Sequence, residues 1–119
     1  MPREDLRKKV DLAFLSAFYG GLLTERQRQV LSMHCEEDLS LAEIAAETGI
    51  SRQAAHETLL RASGRLSELE SILGVAARFR RMEEGLEEAL NALRHHEEHR
   101  AEALLEELLN LEQEENDGL

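Results

Sequence analysis

Tryptophan is absent from this sequence, and cysteine, proline and tyrosine each occur once. With three phenylalanines as the remaining aromatics and few β-branched residues, there is little material for strands. The single proline is Pro2, so nothing after it breaks a helix in the way proline does. These shortages predict an all-α protein. No run of about 18 apolar residues exists, which excludes a membrane-spanning helix. The opening MPREDLRKK is charged and no apolar block of about 7–15 residues follows it, so a secretory signal is not expected. Cys35 has no second cysteine to pair with, which fits a reducing cytoplasm.

Positive charge is also in short supply. There are 14 Lys and Arg against 25 Asp and Glu, a net charge of −11. Residues 1–70 carry 9 basic and 12 acidic side chains, whereas residues 71–119 carry 5 and 13. Affinity for a phosphate backbone comes largely from Lys and Arg that neutralise it. Any nucleic-acid contact must therefore be local.

The 119 residues suit one domain with an appendage. What is present most clearly is the stretch Leu39–Leu66, which reads as two helices around a tight turn. Ser40 can cap the first helix, and Glu43 three residues on can complete a capping box. Leu39 and Ile44 occupy the positions of a hydrophobic staple. Gly49 stands where positive φ ends a helix, and Ser51 caps the next one after only Gly49-Ile50. Ala45 is small enough to let the second helix cross close over the first. This is the grammar of a helix-turn-helix. In the second helix Ala55, Leu59, Ala62 and Leu66 share an inward face. The opposite face shows Gln53, His56, Glu57, Leu60, Arg61 and Gly64, with Arg52 at the helix start. Arg52 and Gln53 have the chemistry to read guanine and adenine edges, while Arg61 and Arg65 can hold phosphates.

Around this motif the pattern stays helical. Residues 3–19 carry a stripe of Leu6, Val10, Ala13, Phe14, Ala17 and Phe18, widened by Leu12, Leu15 and Tyr19 and stopped by Gly20-Gly21. Thr24 with Gln27 opens the next helix in a second capping box. It presents Val30, Leu31 and His34 inward and ends near Cys35, which reads as a small buried hydrophobe; Glu36-Glu37-Asp38 is an acidic link. From Leu66 to Leu111 the helical period continues, with Gly74 as a local break. Leu86, Leu90, Leu93 and Leu104, Leu108, Leu111 form two leucine triplets. The polar run Arg94–Arg100 between them interrupts the seam, predicting either a polar-centred coiled coil or a hairpin bent near 94–100. The acidic residues 112–117 are expected to trail into a disordered end. The apolar excess in 6–19 and 66–93 predicts a homodimer.

His95–His99 spell H-x-x-E-H, and two histidines four apart on one helix can clamp a metal. The match is short and lies in a segment rich in His and Glu, so no metal and no cofactor are assigned. Nor is there a P-loop, a dinucleotide fingerprint or a nucleophile elbow. The sequence carries no catalytic residues and does not read as an enzyme.

The run Phe18-Tyr19-Gly20-Gly21-Leu22-Leu23-Thr24, followed by Gln27, Ser40-Leu41-Ala42-Glu43-Ile44-Ala45 and Gly49-Ile50-Ser51-Arg52-Gln53-Ala54, resembles the YlxM proteins. These are small bacterial helix-turn-helix proteins similar to the promoter-reading region 4 of sigma factors, and the resemblance covers about residues 6–80. It implies a cytoplasmic protein linked to the signal recognition particle through the particle's GTPase, its RNA or both. This chain departs from the family pattern at His34-Cys35, which stand for two tyrosines. It departs again at His56 and Leu60, which stand for a tyrosine and a lysine, and in an acidic helical extension longer than the family implies.

Together these readings predict a helix-turn-helix domain over 1–82 and an acidic helical extension over 83–119. The first functional expectation is a regulatory accessory protein of the signal recognition particle pathway, binding protein or RNA through Arg52, Gln53, His56, Arg61 and Arg65. The alternative is a sequence-specific DNA-binding regulator. A third reading makes the motif a scaffold and gives the function to the acidic helices as a protein-binding surface.

Overall fold

The structure is a computed structural model that describes the backbone of residues 3–117 and the side chains of residues 7–114; Leu6, placed on the first stripe, lies outside the described side chains. Six α-helices and one 3-10 turn follow in order: α1 (Arg3–Tyr19), the turn Gly20–Leu22, α2 (Glu25–Cys35), α3 (Leu41–Thr48), α4 (Arg52–Leu73), α5 (Val75–Arg94) and α6 (Glu98–Asp117). Among the described residues there are no strands. The all-α helix-turn-helix class read from the sequence is the observed one. Two compact units divide the chain inside α5, Met1–Ala76 and Ala77–Leu119.

In the first unit the core is built from Tyr19, Leu23, Val30, Leu31, Ile44, Ala55, Leu59, Ala62, Leu66 and Leu69. Leu31, Ile44, Leu66 and Val30 are its fully buried anchors. A fully buried aliphatic side chain of this size contributes about 1.5–3 kcal/mol. Helix α1 is rotated from the stripe its sequence suggests. Leu12, Leu15 and Phe18 pack on the core and Tyr19 is buried in it, while Val10 and Ala17 are exposed. Leu12, Leu15 and Tyr19, which widen the stripe in the sequence, are among the side chains facing inward. Apolar residues surround α1 on most sides, so its own period cannot choose between them; the partners α2 and α4 do.

Tyr19 also organises the α4–α5 turn. Gly74 ends α4 with φ 63°, and its N–H bonds to the carbonyl of Glu70 at 2.8 Å. A glycine in that place gives α5 no side-chain cap, so its first N–H groups need other acceptors. Val75 N–H donates to Tyr19 Oη at 3.0 Å, and Ala76 N–H donates to Glu70 Oε1 at 3.0 Å. The Tyr19 hydroxyl in turn donates to Glu70 Oε1 at 2.5 Å. A carboxylate beside a helix N-terminus is also favoured by the helix dipole. Burial, then the Glu70 contact, push the Tyr19 phenol above its ordinary pKa.

The second unit is an antiparallel hairpin. Helix α5 ends in a Schellman motif: Glu97 N–H reaches the Ala92 carbonyl at 2.8 Å, and His96 N–H reaches that of Leu93 at 3.0 Å. His96 takes the left-handed position with φ 60°. Of the two arrangements left open by the polar run, the hairpin is the observed one. Its seam is made of small residues. Ala89, Ala92 and Ala101 are buried beside Leu108, and a Cβ placed on Gly85 would lie 2.8–2.9 Å from Leu108 Cδ1 and Cγ. Arg78 pairs with Glu112 across the helices. Leu86, Leu90 and Leu93, expected at the seam, are exposed. Close approach over glycine and alanine has displaced them. Helix α6 continues to Asp117, so residues 112–117 are helical rather than a disordered tail.

Candidate nucleic-acid interface

The helix-turn-helix is assembled by its caps. Ser40 Oγ accepts from Glu43 N–H at 3.1 Å and Glu43 Oε1 accepts from Ser40 N–H at 2.9 Å, the reciprocal box that starts α3. The Ser40 backbone bond holds the Glu43 carboxyl below the usual carboxylate range. Thr24 and Gln27 make the same box at the start of α2. Gly49 closes α3 with φ 77°, and Ser51 Oγ accepts from Ala54 N–H at 3.0 Å to open α4. Ile50, between them, packs against the core and pins the turn. Arg26 of α2 donates to the Thr48 carbonyl at 3.3 Å, satisfying one of the orphan acceptors at the end of α3.

On α4, Ala55, Leu59, Ala62 and Leu66 face the core as their spacing requires. Arg52, Gln53, His56, Arg61 and Arg65 are all exposed. They do not form one cluster. At about 100° per residue, Gln53, Glu57, Leu60 and Gly64 run down the middle of the outward face. Arg52 and His56 lie on one flank of that line, Arg61 and Arg65 on the other. From Arg52 to Arg65 the axis advances about 20 Å. The N-terminal end of α4 thus gathers Arg52, Gln53 and, one turn on, His56, with no acidic residue in the first turn. Arg61 and Arg65 make a second patch, and Arg65 is shared with Glu68 at 3.1 Å. An exposed pair of this kind contributes about 0.3–0.5 kcal/mol and yields to a stronger anion.

Arg26 carries no sign of a site role in the sequence. Its bond to Thr48 brings a guanidinium to the turn, four residues before Arg52 in the chain. Thr24-Glu25-Arg26 reads only as the start of a capped helix; the tertiary contact gives the arginine its place. The first turn of α4 thus combines a helix N-terminus, the Arg52 guanidinium and the Gln53 amide, with Arg26 held at the end of α3 before it. That set can donate to phosphate oxygens and pair with base edges. Glu57 and the exposed Leu60 limit the basic surface to this end.

Other candidate groups are accounted for structurally. Burial raises the Cys35 thiol, which disfavours the thiolate a nucleophile needs. Burial, and then the Lys9 charge, lower the His34 imidazole. An open groove of about 440 Å³ is lined by Lys8, Lys9, His34, Asp38 and Glu43 among others, and Lys9 is paired with Asp38 within it. His95 lies in the hairpin turn, with Nδ1 2.8 Å from the Asn91 carbonyl, and His99 is in the first turn of α6. The two histidines of H-x-x-E-H therefore do not share a helix. Among the described residues no group of three or more His, Cys, Asp or Glu is placed to hold a metal.

Residues 6–112 match the model of the UPF0122 family, helix-turn-helix proteins like YlxM and p13. The chain belongs to this family. A UPF0122 protein of Symbiobacterium thermophilum is 46% identical over 82 residues, covering 69% of this chain and 77% of the relative. That of Desulforamulus reducens is 43% identical over 79 residues, 66% and 68% of the two chains. The Halalkalibacterium halodurans protein is 38% identical over 88 residues, 74% and 81%. The family match extends past the 6–80 inferred from motifs and takes in α5 and most of α6. The α5–α6 hairpin is therefore within the family's length. As a UPF0122 helix-turn-helix protein, this chain is of the nucleic-acid-binding kind. Among its described residues no helix is long and apolar enough to cross a membrane.

Proposed function

We propose that this UPF0122 protein is a cytoplasmic accessory factor of the signal recognition particle, regulating targeting by contact with the particle's RNA and its GTPase. One observation carries the nucleic-acid part: Arg52 and Gln53 stand exposed in an acid-free, serine-capped first turn of α4, with Arg26 held at the adjoining turn. The pathway comes with the likeness to YlxM. RNA is favoured over duplex DNA because Glu57 and Leu60 occupy the middle of the outward face. A helix lying lengthwise in a major groove would press both against the DNA, whereas an RNA loop can engage the first turn alone. Fluorescence anisotropy with the particle's RNA should show binding that weakens about 5- to 150-fold in Arg52→Ala, the range of one lost bidentate contact. Failure of the chain to retain either the RNA or the GTPase would refute the assignment.

The order Arg52-Gln53 at the start of a capped second helix favours one alternative, a sequence-specific DNA-binding regulator. It requires enrichment of a defined pseudo-palindrome from randomised duplexes at low salt. A homodimer belongs to both readings, formed through outward apolar side chains such as Val10, Ile72 and Leu73. Sedimentation of a monomer at tens of micromolar would remove it.

A further inference from the structure

The hairpin Ala77–Leu119 packs its small residues inward and leaves large apolar ones outside. Leu86, Leu90 and Leu93 are 48, 47 and 48% exposed, and Leu109 on α6 is 70% exposed. By helical angle the three α5 leucines share one side, turned roughly 100° from the Gly85–Ala89–Ala92 line. In an antiparallel pair of right-handed helices, positions turned in the same sense from the contact line emerge on the same side. Leu105 and Leu109, turned in that sense on α6, therefore continue the leucine surface. With Phe79 at its far end the strip runs about 20 Å, or four helical turns.

The edges of this strip are acidic. Glu83 and Glu87 border it on α5 and Glu102 and Glu106 on α6, all exposed, with Arg94 a cation near the turn. Residues 77–119 carry 5 Lys and Arg against 13 Asp and Glu, a charge of −8. A second copy would set one acid-rimmed strip against another. A helix with one apolar face and flanking Lys or Arg matches both features, burying the leucines while its cations meet the glutamates. We propose that the leucine face of the α5–α6 hairpin docks a basic amphipathic helix of a partner protein. No residue of α4 takes part, so this surface stands apart from the nucleic-acid reading.

The test uses the full chain and a fluorescent leucine–lysine peptide of about 18 residues with helical period, long enough for the strip. Its controls are a scrambled peptide and one with every lysine replaced by glutamate. The periodic basic peptide should bind with a micromolar Kd and gain helicity, and neither control should bind. Leu86→Ser with Leu90→Ser should weaken binding at least tenfold, as should Glu83→Lys with Glu102→Lys. These positions are exposed, so helicity by circular dichroism should be retained. Leu22→Ser, an exposed apolar position in the other unit, should leave the Kd unchanged. Equal binding of the scrambled peptide would reduce the effect to bulk charge and overturn the proposal. So would indifference to the leucine variants, or loss of binding in Leu22→Ser. Self-association of the chain alone that Leu90→Ser abolishes would assign the face to a second copy instead.

Discussion

Two glycines in helix interiors should respond to the same substitution with opposite signs. Around Gly64 of α4 a new Cβ would meet nothing within 4 Å. Gly64→Ala should therefore realise the difference in helix propensity, about 1 kcal/mol of added stability. Gly85→Ala of α5 has the same intrinsic gain, but its methyl would enter the side chain of Leu108, 2.8 Å from Cδ1 and 2.9 Å from Cγ. Leu108 is only 8% exposed, so swinging it aside either parts the helices or surrenders its burial. Overpacking of this kind costs about 1–3 kcal/mol. The net effect of Gly85→Ala is then a loss of about 1 kcal/mol. Leu108→Ala made in that background should cost less than the roughly 2–5 kcal/mol of a buried leucine truncated alone, because the new methyl occupies part of the space. With two compact units a single melting transition is not assured, so native-state hydrogen exchange is the appropriate assay. Amides of α5 and α6 should lose about fivefold protection in Gly85→Ala, and those of α4 should gain as much in Gly64→Ala. Increased protection of α5 and α6 in Gly85→Ala would refute the close small-residue seam.

Removing the Tyr19 hydroxyl by Tyr19→Phe leaves Val75 N–H without its acceptor, and should destabilise the first unit by about 1–3 kcal/mol in urea unfolding. His96→Gly should stabilise the hairpin by roughly 1 kcal/mol, since glycine adopts the left-handed C′ position without a Cβ penalty; exchange of the α5 amides reads it. Stability should fall on acidification in two stages. His34, lowered in the fold by burial, contributes stability that is complete above its ordinary 6.5 and is lost as pH falls through its folded value. Asp38, Glu43 and Glu112, lowered by Lys9, Ser40 and Arg78, contribute stability present above the usual carboxylate range and lost below it. His34→Gln should abolish the first stage and leave the second.

The parts legible in the sequence are those decided within a few residues. Ser40 with Glu43, Thr24 with Gln27, Ser51 and Gly49 act through contacts three or four positions apart, and each stands where its spacing put it. The inward face of α4 was also legible, because the side opposite Ala55, Leu59, Ala62 and Leu66 is mostly polar. Helix α1 has no such contrast, and its neighbours chose Leu12, Leu15 and Tyr19 over Val10 and Ala17. In α5, leucine looked like the seam because hydrophobic content was the only available guide. The structure instead joins Gly85, Ala89 and Ala92, where lack of bulk allows close approach. The Tyr19–Glu70 contact spans 51 residues and Arg26–Thr48 spans 22, beyond any local pattern. Every proposed site residue was exposed as read, but their division into two patches follows from helical angle and axial rise.

The uneven charge gives the two proposed surfaces different tasks. A protein that makes six to ten phosphate contacts loses about 10³- to 10⁵-fold in affinity between 50 and 200 mM salt. Arg52, Arg61 and Arg65 offer α4 about three, which predicts a loss of only about 40-fold over the same range. The net −11 of the chain works against even that. Generic nucleic acid is therefore held weakly, and binding depends on hydrogen bonds and shape at the first turn of α4, the condition under which an accessory protein discriminates. The acidic hairpin repels the same ligand yet carries an exposed leucine strip, and a cationic protein segment is the complement proposed for it. The two proposals thus assign RNA to residues of α4 and a protein helix to residues of the hairpin, with no side chain in common. A salt dependence steeper than about fourth power would contradict this, because these three arginines, or four with Arg26, cannot release so many counterions.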